Sequence, residues 1–143
     1  GSLKLFQEVA IEMVKAMYKA KGLGLAANQV GLKHRMCVID PAQVAGKRMP
    51  IVMFNPELVE HGEETFDSIE GCLSLPGVNL KVPRFRQVKV RFQDLLGTKR
   101  EIEDKEGTLL AAVLQHELDH LSGVLICDKA AEQVKLEYKS LLV

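Results

Sequence analysis

Apolar side chains recur at Leu3, Phe6, Ala10, Met13, Val14 and Met17, the three-to-four-residue spacing of one helix face, and predict an amphipathic helix over about residues 3–20. Its Met-rich stripe is core. Gly22, Gly24 and Gly31 then break the period, so the stretch between them is expected to be a loop anchored by Leu23, Leu25 and the Ala26-Ala27 pair. Extended runs follow at residues 35–40, 50–54, 57–66 and 69–75, separated by turn-forming residues. Residues 87–93 alternate strictly, which predicts a strand with one buried and one wet face, and Leu96-Gly97 turns the chain toward a partner strand near 99–104. The helical period returns over residues 108–121, where Leu109, Leu110, Val113, Leu114, Leu118 and Leu121 make most of the circumference apolar. Such a helix belongs in the middle of a fold. Gly123 suits its C-terminal cap, and Asp128 is expected to N-cap a last helix with Val134, Tyr138 and Leu141 on one face. Runs of strands with segregated helices indicate an α+β fold.

At 143 residues the chain is expected to form a single domain, 1–143, large enough to bury a core without staples. Gly1-Ser2 in place of Met reads as a tag-removal scar. Charge adds a restriction: 19 basic and 19 acidic residues balance, with no Lys/Arg run to mark a nucleic-acid or membrane face. No apolar run approaches the roughly 20 residues of a membrane span, and no signal peptide is visible. Three widely spaced cysteines argue against a disulfide framework and fit a reducing, cytoplasmic setting. Cys37 and Cys127 lie in apolar runs and are expected in the core, whereas Cys72 has Gly-rich, polar surroundings. His34 and His61 have no ligand-like neighbours and are expected at the surface. The isolated Gly22-x-Gly24 lacks the preceding strand and acidic ribose partner of a nucleotide loop.

The chemistry concentrates in residues 115–123, Gln-His-Glu-Leu-Asp-His-Leu-Ser-Gly. On a helix His116 and His120 stand one turn apart on one face, while Glu117 lies about 100° round and can reach water activated at a metal. Two imidazoles need a third ligand to make a catalytic site. The metzincin continuation fails because position 126 is Ile; a thermolysin-like site would have to use Glu132 or Glu137, with little chain left for a second lobe. Upstream, Cys72 in Glu-Gly-Cys-Leu-Ser-Leu-Pro offers a thiolate, and with two imidazoles it makes a three-ligand site with one open position. From spacing alone the reading is metal-assisted amide hydrolysis.

Three blocks in order, Gly22-Leu-Gly-Leu-Ala-Ala-Asn-Gln29, Glu70-Gly-Cys-Leu-Ser74 and Gln115-His-Glu-Leu-Asp-His-Leu-Ser-Gly123, closely resemble the peptide deformylase family, with lesser echoes at Phe54-Asn-Pro56 and Val82-Pro-Arg84. The resemblance implies antiparallel sheets packed around a central metal-binding HExxH helix, and removal of the formyl group from N-terminal formyl-methionine with release of formate. It implies one divalent ion on Cys72, His116 and His120, Fe²⁺ for activity, with Zn²⁺, Ni²⁺ or Co²⁺ acceptable to the same donors. Glu117 would be the general base, and the Gln29 amide and Leu73 backbone N–H the oxyanion donors. Gly24 would let substrate backbone approach, Glu70 would orient Gln29 or substrate amides, and Leu109, Ala112 and Val113 are candidates for the pocket receiving the Met side chain. Asp119, paired with Arg84, would support the metal ligands from behind. The implied partners are N-formyl-Met peptides or nascent chains, with a transient ribosome contact compatible; a bacterial-type cytoplasmic setting is expected, an organelle or a phage-infected host being alternatives. Four departures stand out: the chain begins almost at the family's first helix, Asn28 replaces the usual Pro or Thr, Asn79 stands where many relatives carry Arg, and the tail lacks a longer basic helix. An HExxH endopeptidase and a catalytically silent metal-binding protein are the rival readings.

Overall fold

The computed structural model describes residues 2–72 and 75–130, with the side chains of residues 2, 72 and 75–78 left aside. Helix α1 (Ser2–Lys19) is followed by a five-stranded antiparallel sheet made of β1 (Gly24–Ala26), β2 (Met36–Ile39), β3 (Ile51–His61), β6 (Val88–Gln93) and β7 (Lys99–Asp104), in the order β1-β2-β3-β6-β7. Strands β4 (Thr65–Cys72) and β5 (Leu75–Phe85) pair as a separate antiparallel hairpin. Helix α2 (Leu109–Leu121) carries the HExxH segment.

Alternation along β2 explains how α2 comes to be enclosed. All four β2 residues are buried, because each sheet face there is covered. Met36 and Val38 join Ala10, Met13 and Met17 of α1, while Cys37 and Ile39 join Met53, Val88, Val90 and Phe92 against Ala111, Val113 and Leu114 of α2. The sheet is thus sandwiched at β2 between the two helices, and α2 also contacts the β4–β5 hairpin through β5. An α2 that is apolar nearly all round can be tolerated in that position only.

Several expectations are corrected. Residues 24–26 form an edge strand rather than loop, since Gly24, Leu25 and Ala26 pair with Ile39, Val38 and Cys37. The runs at 50–54 and 57–66 are mostly one strand, β3, in which Pro56 is accommodated by a register shift between Phe54 and Glu57 and by the positive φ of Asn55 (50°). Of the run expected at 69–75, residues 69–72 end β4 and Leu75 opens β5, so the described part belongs to a longer hairpin whose second strand tolerates Pro83 because it pairs on one side. Asp128 does not stand at the N-cap. Residues 126–130 are already helical, and its carboxylate accepts the Leu125 N–H from inside the first turn, as one half of a capping box does. Val134, Tyr138 and Leu141 lie outside the described residues. His34 and His61 are exposed, the latter stacked on Phe85 at 3.9 Å between ring centroids.

Candidate metal centre

Helix α2 is started by an acidic anchor that sequence reading passed over. Asp104, buried at the end of β7, accepts hydrogen bonds from the backbone N–H of Glu106, Thr108 and Ala111 and from the Thr108 hydroxyl. Thr108 in turn accepts the Leu110 N–H as N-cap. So fixed, the helix turns His116, Glu117 and His120 into one buried corner, with ligand atoms within 4.8 Å of one another.

The His116 and His120 Nε2 atoms face each other at 3.1 Å. Two imidazoles sharing one tetrahedral ion at about 2.0–2.1 Å would hold their nitrogens about 3.3 Å apart, so the pair is spaced for a shared cation. Burial and the neighbouring His116 push the His120 pKa down to about 4, leaving a neutral ring with a lone pair to donate. Glu117 is 2% exposed, and its Oε2 is buried with no hydrogen-bond partner among the described residues. Burial, reinforced by the charge of Glu70, pushes its pKa up to about 8, with Arg84 acting in the opposite direction. An orphaned buried carboxylate oxygen beside two converging imidazoles fits a divalent cation.

Behind the histidines lies a buried charge network. Arg84 Nε and Nη2 donate to the two oxygens of Glu70 at 2.8 and 2.7 Å, and Nη1 donates to Asp119 at 2.5 Å. Glu70 Oε1 also sits 2.8 Å from His116 Nδ1, which leaves Nε2 pointing to the corner. Burial alone would raise the Glu70 pKa, but Arg84 and His116 outweigh it and hold the carboxyl down at about 2. Glu70 thus joins Arg84 to His116, a contact additional to its expected role of orienting Gln29 or substrate amides.

Gln29 lies in a 3-10 turn at Ala27–Val30, where its Oε1 accepts the Ala26 N–H at 2.8 Å, so the amide NH₂ is turned the other way. Asn28, from the same turn, donates its amide to the His120 carbonyl and fastens the turn to α2. That bond gives Asn28 a contact its sequence position did not disclose. Gly24 abuts Glu117: a Cβ there would lie 2.8 Å from Glu117 Cγ. Leu109 is exposed, whereas Ala112 and Val113 are buried on the same helix stripe as His116. Cys72 ends β4 two residues beyond Glu70; its side chain, and all of Leu73, lie outside the described residues.

The family model of polypeptide deformylase matches residues 3–136. The chain belongs to that family. It is 42% identical over 130 residues to a peptide deformylase of Prochlorococcus marinus subsp. pastoris, covering 91% of this chain and 64% of that protein. A peptide deformylase of Endomicrobium trichonymphae is 45% identical over 125 residues, covering 87% of this chain and 71% of the relative. The crystal structure of peptide deformylase from Thermotoga maritima superimposes with a TM-score of 0.80 at 39% identity, over 88% of this chain and 81% of that one. The chain thus spans less than two thirds of the Prochlorococcus protein's length. Among the described residues no helix is long and apolar enough to cross a membrane. Deformylase membership accounts for the α+β architecture of antiparallel sheets around α2.

Proposed function

We propose that this chain hydrolyses the formyl amide of N-terminal formyl-methionine on newly made polypeptides, giving formate and a free amine. The observation that carries the proposal is the buried convergence of His116 and His120 with Glu117, whose Oε2 has no hydrogen-bond partner among the described residues, in a member of the deformylase family. Cys72, His116 and His120 would hold one divalent ion, Fe²⁺ for activity or Zn²⁺, Ni²⁺ or Co²⁺, and the bound ion supplies Lewis acidity toward water and the formyl oxygen.

The remaining chemistry belongs to side chains and backbone. Glu117, buried and basic, takes the proton of the attacking water and delivers it to the leaving nitrogen. The Gln29 NH₂ and the Leu73 N–H donate to the oxyanion; losing one such donor costs about 100- to 1,000-fold in rate. Glu70 fixes the His116 ring, and Asp119 through Arg84 keeps Glu70 in place. Substrate backbone lies along the open edge of β1 at Gly24, and Leu109, Ala112 and Val113 receive the Met side chain. The partners are formyl-Met peptides or nascent chains meeting the enzyme in a cytoplasmic or equivalent compartment, with transient ribosome contact compatible.

Matched formyl-Met and acetyl-Met peptides test the assignment. With Gln29 and the Leu73 amide as its proposed donors the carbonyl would have little room for an added methyl, so the formyl peptide should show the higher kcat/KM after correction for uncatalysed rates. Equal acceleration of both, or cleavage at internal peptide bonds, would instead indicate a broader metallopeptidase.

A further inference from the structure

Gln115 precedes the first metal-site histidine but turns away from it. Its side chain is buried, and its amide grips the backbone of one residue in β5: the Phe85 N–H donates to Oε1 at 2.9 Å, and Nε2 donates to the Phe85 carbonyl at 2.9 Å. The same Nε2 donates to the Ala111 carbonyl one turn back, at 2.9 Å. A side-chain amide that both accepts from and donates to one residue copies the pairing of a neighbouring strand, so α2 is hydrogen-bonded to β5 as a strand would be.

The residue next to Phe85 is Arg84, which holds Glu70, which holds His116, which is bonded to Gln115. These contacts form a closed ring: Gln115 to Phe85 through the amide, Phe85 to Arg84 along the chain, Arg84 to Glu70, Glu70 to His116, and His116 back to Gln115 along the chain. Opening it at Gln115 removes the backbone grip and lets β5 shift along α2 as far as the Arg84–Asp119 pair allows. Any such shift carries Arg84, and with it the Glu70 carboxylate, away from His116 Nδ1.

We infer that Gln115 is a positioning residue for the metal centre, holding His116 in its ligating orientation through Phe85, Arg84 and Glu70 while touching neither metal nor substrate. The inference rests on the reading of His116 as a metal ligand. Partners that orient metal-ligating histidines typically contribute 10- to 100-fold in metal affinity.

The test is Zn²⁺ affinity, measured by competition with a chromophoric chelator, on the wild type, Gln115→Met, Glu70→Gln, the double variant and His116→Ala, with circular dichroism melts alongside. Gln115→Met keeps the length of the side chain and loses the amide. It should raise the Zn²⁺ Kd at least about tenfold, and the double variant should bind no more weakly than Glu70→Gln alone, because both changes open one ring. If Gln115→Met does not fold, Gln115→Glu, which keeps an acceptor for the Phe85 N–H but sets an oxygen against the Phe85 carbonyl, is held to the same tenfold expectation. A folded Gln115 variant whose Kd stays within twofold of wild type, or a double variant whose losses multiply, overturns the inference. His116→Ala separates the two levels: unchanged Kd there removes the ligand reading and the inference with it, whereas weakened binding there beside an unaffected Gln115 variant overturns the positioning role alone.

Discussion

Asp104→Ala removes the anchor from the start of the metal helix without touching any group proposed to act in the reaction. Its Oδ2 accepts the Thr108 N–H, the Thr108 hydroxyl and the Ala111 N–H, and Oδ1 accepts the Glu106 N–H. Loss of a capping acceptor costs about 1 kcal/mol, and loss of a negative charge at a helix N-terminus about 0.3–1 kcal/mol. Stranding the N–H of Ala111, which is buried, adds about 1 kcal/mol or more, for a total of about 3 kcal/mol. At about 3–4 °C per kcal/mol for a domain near this size, the melting temperature should fall by about 10 °C at pH 7. Asp104→Asn keeps an acceptor and loses the charge, so it should fall by about a third as much. The acid side gives an independent check. Burial alone would raise the Asp104 pKa, but the hydrogen bonds from Thr108, Glu106 and Ala111 outweigh it and hold the carboxyl below its ordinary value. A depressed folded pKa contributes stability that is complete above the unfolded value of about 3.9 and is lost as pH falls through the folded one. The gap between wild type and Asp104→Asn should therefore be widest above pH 5 and narrow below pH 4. Thermal melts followed by circular dichroism from pH 3 to 7 measure both. An Asp104→Ala melt within 2 °C of wild type, or a gap that does not shrink in acid, would refute the anchor.

Arg84→Met should be more damaging, because it leaves the Glu70 carboxylate buried without its cation; breaking such a pair costs about 3–5 kcal/mol, and a melt within about 2 °C of wild type would contradict it. Gly24→Ala is expected to fold and keep its metal but lose about 100-fold in kcat, since the new Cβ would stand 2.8 Å from Cγ of a fully enclosed Glu117 and displace its carboxylate. Steady-state kinetics on formyl-Met peptides, with metal content measured, check this; an unchanged kcat would show that the base has room to yield.

Elements whose pattern is set by their own residues were legible in the sequence. The α1 stripe, the clean alternation of β6 and the apolar girth of α2 each follow from a local period, and all appear close to the expected bounds. What could not be read depends on partners distant in the chain. β1 is a strand because Ile39, Val38 and Cys37 pair with it, although its glycine argues for loop. β3 runs through Pro56 because a shift in register against β6 absorbs it. At the site, one-turn spacing sufficed to bring His116 and His120 together, and Asp119 with Arg84 followed from family resemblance. The engagement of Glu70 by Arg84 and His116 crosses three elements, and the link from Asn28 to the His120 carbonyl spans 92 residues. No local pattern encodes either.

Formate release from a formyl-Met peptide, measured in parallel on metal-loaded wild type and Glu117→Gln with metal stoichiometry determined for each, tests the central claim most directly. Glu117 is proposed to act on water rather than as a ligand, so the variant should keep its metal while formate release falls to background, against steady turnover by the wild type. Metal loss in Glu117→Gln, or formate release undiminished by the substitution, would contradict the account.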